Sequence, residues 1–185
     1  MRHAYFMTGK CCSGKDHYIN NVFVKQGMVL RRLDIGNAIK QKLGEEEFNK
    51  IVKNSTRPSS PHEMDKIALD IINEVLDLDQ SKFVIINGYP RHVDQYKEIM
   101  KLRLLYAETR MFIVVINTPQ DVRLNRAKND ELRTQRINNG EMEITDMISY
   151  HMDLDPNQRL SLLQLEPEAT DVKNTNHKRG TAPDR

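Results

Sequence analysis

Two glycines and a lysine near the start of the chain have the spacing of a phosphate-binding loop. In the stretch GKCCSGKDHY, residues 9–18, Gly9 is followed five residues later by Gly14, and Lys15 comes next. A loop of this kind between a strand and a helix turns successive backbone N–H groups inward, where they bind phosphate oxygens together with the helix N-terminus. The glycines allow a close backbone approach, and the lysine reaches the outer phosphates. The alternative is an ordinary strand-to-helix turn with a solvated lysine.

The other residues of this loop differ in the chemistry that they offer. Cys11, Cys12 and Ser13 are expected to contribute mainly through their backbone. The position after the lysine, where a magnesium-binding hydroxyl is usual, holds Asp16, and His17 follows it. Asp16 is either the N-cap of the next helix or a ligand of hydrated Mg²⁺. We include all five residues in the predicted phosphate-binding set.

Short apolar runs alternate with helical patterns along the rest of the chain. The runs are brief, rich in Val, Ile or Phe and ended by turn-forming residues, which is typical of buried parallel strands. Strands are predicted within residues 4–9, 28–35, 83–90, 111–117 and 160–166. Apolar residues with helical spacing predict helices within 63–78, 94–108 and 118–129, a further helix from about residue 16, and a loop over 55–63. This alternation predicts an α/β fold with a parallel sheet and right-handed crossovers.

Length and composition limit the classes of function. The 185 residues are 38% hydrophobic, enough for one domain with a buried core, and 28 basic against 26 acidic residues leave the net charge near zero. No run approaches the ~18 apolar residues of a membrane helix, and we do not expect the first residues to act as a signal peptide. The only two cysteines are adjacent and form no disulfide framework, so we expect a cytoplasmic protein.

The last residues of the sequence differ in character from the rest. Residues 167–185 are polar and have neither a helical nor a strand period, so we expect a flexible tail after one domain spanning 1–166. The basic residues of 173–180 come without aromatic side chains on which bases could stack. Nucleic-acid binding is therefore not expected.

A second motif gives the chain a family resemblance. The run INGYPRHVDQ, residues 86–95, ends a predicted strand and, together with the glycine loop, resembles the adenylate kinase-like nucleoside monophosphate kinases. The resemblance implies a P-loop three-layer sandwich with a central parallel sheet, a helical acceptor-binding lobe and a short lid. It also implies that Arg91 and Gly88 lie at the acceptor's phosphate and that Gln95 reads its base. A guanidinium suits phosphate because it makes two charge-assisted hydrogen bonds at once.

Further segments extend the resemblance over roughly residues 4–165. Gly36, in LDIGNAIK, matches the glycine of the family's acceptor segment, whereas Lys40 replaces its arginine and keeps the charge, and Ile35 replaces a threonine beside the base. The acceptor lobe then covers about 34–70 and the lid about 128–142. By the same resemblance Arg126 lies against the donor nucleotide.

The lid of the family carries arginines that clamp the transferring phosphoryl group. Arg133 and Arg136 are the candidates for that role in DELRTQRINNGEME, residues 130–143.

The function that the resemblance implies is phosphoryl transfer from ATP to a nucleoside or deoxynucleoside monophosphate, with Mg²⁺. An aspartate after the loop lysine also occurs in phage deoxynucleoside monophosphate kinases. Asp16 and Asn87 are the candidate Mg²⁺ ligands, Asn87 through water, because Asn87 replaces the family's metal-ordering aspartate. Two alternatives stay open: a non-catalytic nucleotide-binding protein of this fold, and a kinase of a small metabolite. The sequence does not predict an oligomeric state.

Overall fold

A computed structural model describes residues 1–24, 31–55, 61–138 and 142–166. All five predicted strands are present in one sheet. They are β1 (Arg2–Thr8), β2 (Arg31–Asp34), β3 (Phe83–Asn87), β4 (Thr109–Ile116) and β5 (Ser161–Leu165). Every pair in the sheet is parallel, and the strand order is β2-β3-β1-β4-β5. The predicted α/β class with a central parallel sheet is thus confirmed.

Helices connect the strands, as expected of parallel crossovers. They are α1 (Lys15–Tyr18), α2 (Ile35–Leu43), α3 (Glu45–Asn54), α4 (Asp65–Leu78), α5 (Val93–Leu105), α6 (Gln120–Ala127), α7 (Glu131–Asn138) and α8 (Met142–Asp153). A π-helical turn (Ile19–Val24) continues α1, and a 3₁₀ turn (His62–Met64) precedes α4. The three helices predicted from periodicity correspond to α4, α5 and α6.

The sheet is covered by helices on both faces, which explains why the strands β3 and β4 are continuous apolar runs rather than alternating ones. On one face Phe6 and Ile86 belong to a core cluster with buried residues of α2, α4, α5 and α8. On the opposite face Met7 and Ile85 pack with Ile19 of the π-helical turn. Neighbouring residues of a strand point to opposite faces, so β1, β3 and β4 contribute buried residues to both clusters.

Several predicted segments lie partly or wholly outside the described residues. These are the first three residues of the strand predicted within 28–35, residues 56–60 of the predicted loop, residues 139–141 of the predicted lid and the predicted tail, 167–185. The described part of the lid is helical, because α7 covers most of it. Among the described residues no helix combines the length and apolar character needed to cross a bilayer.

A buried histidine gives the fold a pH dependence. His151 of α8 is 4% exposed, and its Nδ1 lies 2.7 Å from the hydroxyl oxygen of Tyr96. The backbone N–H of Leu160 donates to the same oxygen, which keeps the hydroxyl proton of Tyr96 available for donation to a neutral ring. Burial lowers the pKa of His151 below its usual 6.5, and the charge of Arg159 lowers it further.

We expect the protein to lose stability in mild acid, because the folded state resists protonation of His151. Because the pKa of His151 is lower in the folded than in the unfolded protein, the neutral ring contributes to stability above pH ~6.5. This contribution is lost as the pH falls through the folded pKa. Urea unfolding at pH 7.5 and 5.5 should show a smaller drop in the free energy of unfolding for His151→Gln than for the unchanged protein. The exposed histidine variant His17→Gln is the control and should keep the full drop. Equal drops in all three proteins would contradict the assignment.

Candidate functional site

The predicted site residues converge at the carboxyl edge of the sheet. The chain leaves β1 toward β2 on one side, whereas it leaves the adjacent β3 toward β4 on the other, so a crevice opens between β1 and β3. In open α/β sheets ligands bind at such a switch point. Here Met7 of β1 is paired with Asn87 of β3, and the Gly88 N–H donates to the Met7 carbonyl at 2.8 Å. The glycine loop and the turn that contains Arg91 therefore begin side by side.

Both loop glycines occupy positions where a side chain would collide or be strained. A Cβ on Gly9 would lie 2.7 Å from the carbonyl oxygen of Ile116 and 2.7 Å from Oγ of Ser13. Gly14 is the N-cap of α1 with a φ of 88°, a left-handed conformation, and a Cβ there would lie 3.0 Å from Nη1 of Arg126. The loop therefore needs glycine at both positions for steric reasons.

The loop lysine lies over the loop that precedes it. Lys15 Nζ donates to the carbonyl of Gly9 at 2.9 Å and lies 3.5 Å from the carbonyl of Lys10 and 3.4 Å from Oγ of Ser13. On the other side of Ser13, its carbonyl accepts a hydrogen bond from Oγ1 of Thr118 at 2.7 Å. The ammonium group is thus placed at the centre of the loop, where phosphate charge would be neutralised.

Two arginines of α6 hold the other carbonyls of the loop. Nη1 of Arg126 donates to the Cys12 carbonyl at 3.1 Å, and Nη1 of Arg123 approaches the Cys11 carbonyl at 3.5 Å. Residues three apart share one face of a helix, so both side chains point at the loop. Of these, only Arg126 was predicted. Arg123, 5% exposed, and the preceding Thr118 were missed, although the spacing of the two arginines was a signal for the first.

The structure excludes one of the two roles predicted for Asp16. The N-cap of α1 is Gly14, and Asp16 lies inside the helix, so the N-cap alternative is wrong. Its carboxylate instead forms an ion pair with Arg32 and accepts a hydrogen bond from Nδ2 of Asn87 at 3.0 Å. The exposed His17 lies within 2.9 Å of the Asn21 amide nitrogen.

The two predicted metal ligands are in contact, and a third oxygen ligand joins them. Nδ2 of Asn87 also donates to Oδ2 of Asp34, the last residue of β2, at 2.9 Å. Asn87 is 4% exposed, and its Oδ1 is buried without a hydrogen-bond partner within the described parts of the chain. Asp34 was missed, although it lies near the end of the strand predicted within 28–35 and could have been placed at the same sheet edge.

These residues fit a hydrated Mg²⁺ ion. Mg²⁺ prefers oxygen ligands, keeps several waters and is usually bound by one or two carboxylates. Asp16 and Asp34 supply the carboxylates, and the unpaired Oδ1 of Asn87 supplies an acceptor for a metal-bound water. The orientation of an asparagine amide follows its hydrogen bonds, so a rotation of the Asn87 amide would present this oxygen to a cation between the two carboxylates.

The predicted acceptor residues form a hydrogen-bonded turn. Nε of Arg91 donates to the Gly88 carbonyl at 2.9 Å, and the Arg91 backbone N–H donates to Oε1 of Gln95 at 2.7 Å. The other end of the Gln95 amide, Nε2, donates to Oδ1 of Asp65 at 2.7 Å. Gln95 is 5% exposed, so both ends of its amide are bound within the protein.

The remaining predicted acceptor residues lie on α2. Lys40 forms a 2.6 Å ion pair with Glu45, and its side chain is 40% exposed. Gly36 is in the first turn of the helix, where the Asp34 side chain caps the Asn37 N–H at 3.2 Å. Ile35 is buried in the core.

The two predicted lid arginines differ in their surroundings. Arg133 is 59% exposed and pairs with Asp130 at 3.1 Å. Nε of Arg136, by contrast, is buried and lacks a hydrogen-bond partner among the residues that the structure describes. A buried guanidinium nitrogen without an acceptor is costly, so Arg136 fits the predicted phosphate clamp better than Arg133 does.

Comparison with known proteins adds no assignment to this geometry. No protein-family model matches the sequence, and no curated protein matches it either. The arguments for a function therefore come from the residues and contacts of the site.

The glycine requirement of the loop is testable by comparing two alanine substitutions. Gly9→Ala should lower the free energy of unfolding by about 1–3 kcal/mol beyond Gly44→Ala and weaken the predicted binding of a nucleotide, because it forces the loop away from β4. Gly44 also has a positive φ, 82°, but a Cβ there would meet nothing within 4 Å. The Gly44→Ala variant therefore measures the cost of backbone strain without a collision. Chemical denaturation and nucleotide titration would measure both effects. Equal losses in the two variants would show that the close approach is unimportant.

Proposed function

We propose that this protein is a kinase that transfers a phosphoryl group from ATP to a nucleoside or deoxynucleoside monophosphate. The observation that carries the proposal is the loop of residues 9–15 at the β1–β3 switch point, with Lys15 over its centre. The acceptor side is supported by Arg91, which lies in the turn after the neighbouring strand. A fold by itself does not fix a function, so the proposal depends on these site residues.

The orientation of the loop peptides supports anion binding. In a trans peptide the carbonyl and the following N–H point in opposite directions. Since the carbonyls of Cys11 and Ser13 are bound on the side of α6 and Thr118, the N–H groups of Cys12 and Gly14 point away from that side. Convergent N–H groups of this kind bind phosphate oxygens.

The proposed reaction needs positioning and charge neutralisation rather than a general base, because the acceptor phosphate is itself the nucleophile. Lys15 and Arg126 would stabilise charge on the donor phosphates, and Arg91 with Lys40 would hold the acceptor phosphate. Arg136 would complete the clamp as the lid closes and excludes water. Mg²⁺, held by Asp16, Asp34 and a water on Asn87, would neutralise further phosphate charge when bound.

One observation favours a second candidate, a kinase of a small metabolite. The predicted base-reading amide of Gln95 is bound at both ends by Asp65 and by the Arg91 N–H, and Ile35 is buried. An acceptor without a base would need neither side chain. The donor side of the site would be unchanged. The acceptor, rather than the reaction type, distinguishes this candidate from the first.

The proposal predicts acceptor-dependent formation of ADP that requires Lys15. Purified protein with ATP and Mg²⁺ would be assayed against a panel of ribo- and deoxyribonucleoside monophosphates and phosphorylated small metabolites, with products resolved by chromatography. Lys15→Ala should reduce turnover by about 10²-fold or more, as loss of a charge-stabilising group does. Lys101→Ala removes an exposed lysine of α5 and should be fully active.

Each outcome of this assay selects one candidate. A nucleoside diphosphate product confirms the first proposal, and a product from a metabolite selects the second. ATP binding without ADP production for any acceptor would instead favour the non-catalytic nucleotide-binding protein.

Because the carboxylates of Asp16 and Asp34 lie beside Asn87, we expect removal of the Asp16 carboxylate to alter the magnesium requirement. Asp16→Ala should raise the Mg²⁺ concentration for half-maximal activity and lower turnover by about tenfold or more, equivalent to ~1.4 kcal/mol in the transition state. Its effect on stability should be small, since an exposed ion pair such as that with Arg32 contributes about 0–1 kcal/mol. Asp70→Asn changes an exposed carboxylate of α4 and is the control. A lower melting temperature with unchanged turnover and Mg²⁺ dependence would refute the metal role of Asp16.

A further inference from the structure

A second cluster of metal-binding side chains lies outside the nucleotide loop and the Asp16–Asn87 pair. His62 begins the 3₁₀ turn, Asp65 is the first residue of α4, and His92 is the N-cap of α5. One ligand atom from each lies within 4.8 Å of the other two. Two imidazoles and a carboxylate form a donor set that suits Zn²⁺ and similar transition-metal ions, whereas Mg²⁺ prefers six oxygens.

The distances approach those of a tetrahedral ion. Zn²⁺ with ligands at about 2.0–2.1 Å holds any two of them about 3.4 Å apart. Oδ2 of Asp65 lies 3.5 Å from Nδ1 of His62 and 3.2 Å from Nε2 of His92. Two edges of the ligand triangle therefore already have the required length. The third edge, between the histidines, is at most 4.8 Å and would close through a small movement of the more exposed ring.

The carboxylate is oriented so that one oxygen faces the histidines. Oδ1 of Asp65 accepts the 2.7 Å hydrogen bond from Gln95, which leaves Oδ2 directed at both rings. Gln95 is itself fixed by the Arg91 N–H. Partners of this kind orient metal ligands and hold them for the ion.

Burial differs across the cluster in the way that an accessible metal site requires. The side chain of His92 is 4% exposed, that of Asp65 27% and that of His62 54%. The buried ring sets a fixed position, whereas the exposed ring leaves a route to solvent and room for a water as fourth ligand. Three protein ligands with an open fourth position are usual for zinc sites that are not purely structural.

We propose that His62, Asp65 and His92 bind Zn²⁺ or a similar divalent transition-metal ion. The ion joins the start of α4, in the predicted acceptor lobe, to the turn after β3. This inference does not depend on the proposed kinase activity, because it concerns binding and stability only. An ion that binds the folded chain but not the unfolded one stabilises the fold by RT ln(1 + c/Kd), where c is the free ion concentration, so the melting temperature rises with the affinity and the concentration of the ion.

The test is a titration of the full chain, stripped with a chelator, with Zn²⁺ in competition with a chromophoric chelator. We expect one ion per chain, a rise in melting temperature, and unchanged Zn²⁺ affinity in excess Mg²⁺, which separates this site from the Asp16–Asn87 pair. His62→Ala should weaken binding by more than about 100-fold, since loss of an outer partner alone costs about 10–100-fold. Co²⁺ in place of Zn²⁺ should give the visible absorption of a four-coordinate site, and His62→Ala should abolish it.

The controls remove histidines elsewhere in the chain. His17→Ala and His177→Ala should bind Zn²⁺ like the unchanged protein, and circular dichroism should show that His62→Ala is folded. If His62→Ala proves unfolded, His62→Gln, which keeps the size of the exposed side chain, takes its place in the titration. Zn²⁺ affinity that is unchanged in the His62 variant, or lost with His17 or His177 instead, would overturn the proposal. The absence of stoichiometric binding to the unchanged protein would overturn it as well.

Discussion

The hydrogen-bonded position of β1 between β3 and β4 is the constraint on which the site depends. Because all three strands are parallel, their carboxyl ends meet at one edge, and the connections after β1 and β3 diverge from it. The pairing of Met7 with Asn87 brings the start of the glycine loop beside the turn that contains Arg91. A shift of one residue in this register would exchange the two faces of β1 and bury the wrong side chains. The strand pairing that forms the sheet therefore also assembles the site.

Charge is arranged around this edge in two groups. Lys15, Arg123 and Arg126 surround the loop with positive charge, which has the sign needed for phosphate. Asp16 and Asp34 lie nearby with like charges that repel each other. The Asn87 amide donates to both, and Arg32 pairs with Asp16, so the carboxylates are held together without a cation between them. A divalent cation that binds there would attract both carboxylates, whose positions these contacts already set.

Asp65 connects the acceptor side of the site to the histidine cluster. One of its oxygens accepts from Gln95 and the other faces His62 and His92. Burial alone would raise the pKa of Asp65, but the hydrogen bonds from His92 and Gln95 together hold it below its usual value, so the carboxylate stays ionised. Gln95 in turn accepts a hydrogen bond from the Arg91 N–H. A metal ion bound to Asp65 and a substrate phosphate bound to Arg91 would therefore be connected by one side chain, that of Gln95.

The sequence by itself determined the local features. Short apolar runs identified β1, β3 and β4, weaker patterns identified β2 and β5, helical periodicity identified α4, α5 and α6, and the spacing of Gly9, Gly14 and Lys15 located the loop. Only the tertiary structure decided which side chains meet. The contacts of Asn87 with Asp16 and Asp34 and of Gln95 with Asp65 span 71, 53 and 30 residues. The physical reason is that periodicity and turn chemistry act over a few residues, whereas contacts between elements follow from strand order, register and packing. Those depend on the whole core at once, and the contacts that Arg123, Asp34 and Asp65 make became visible only there.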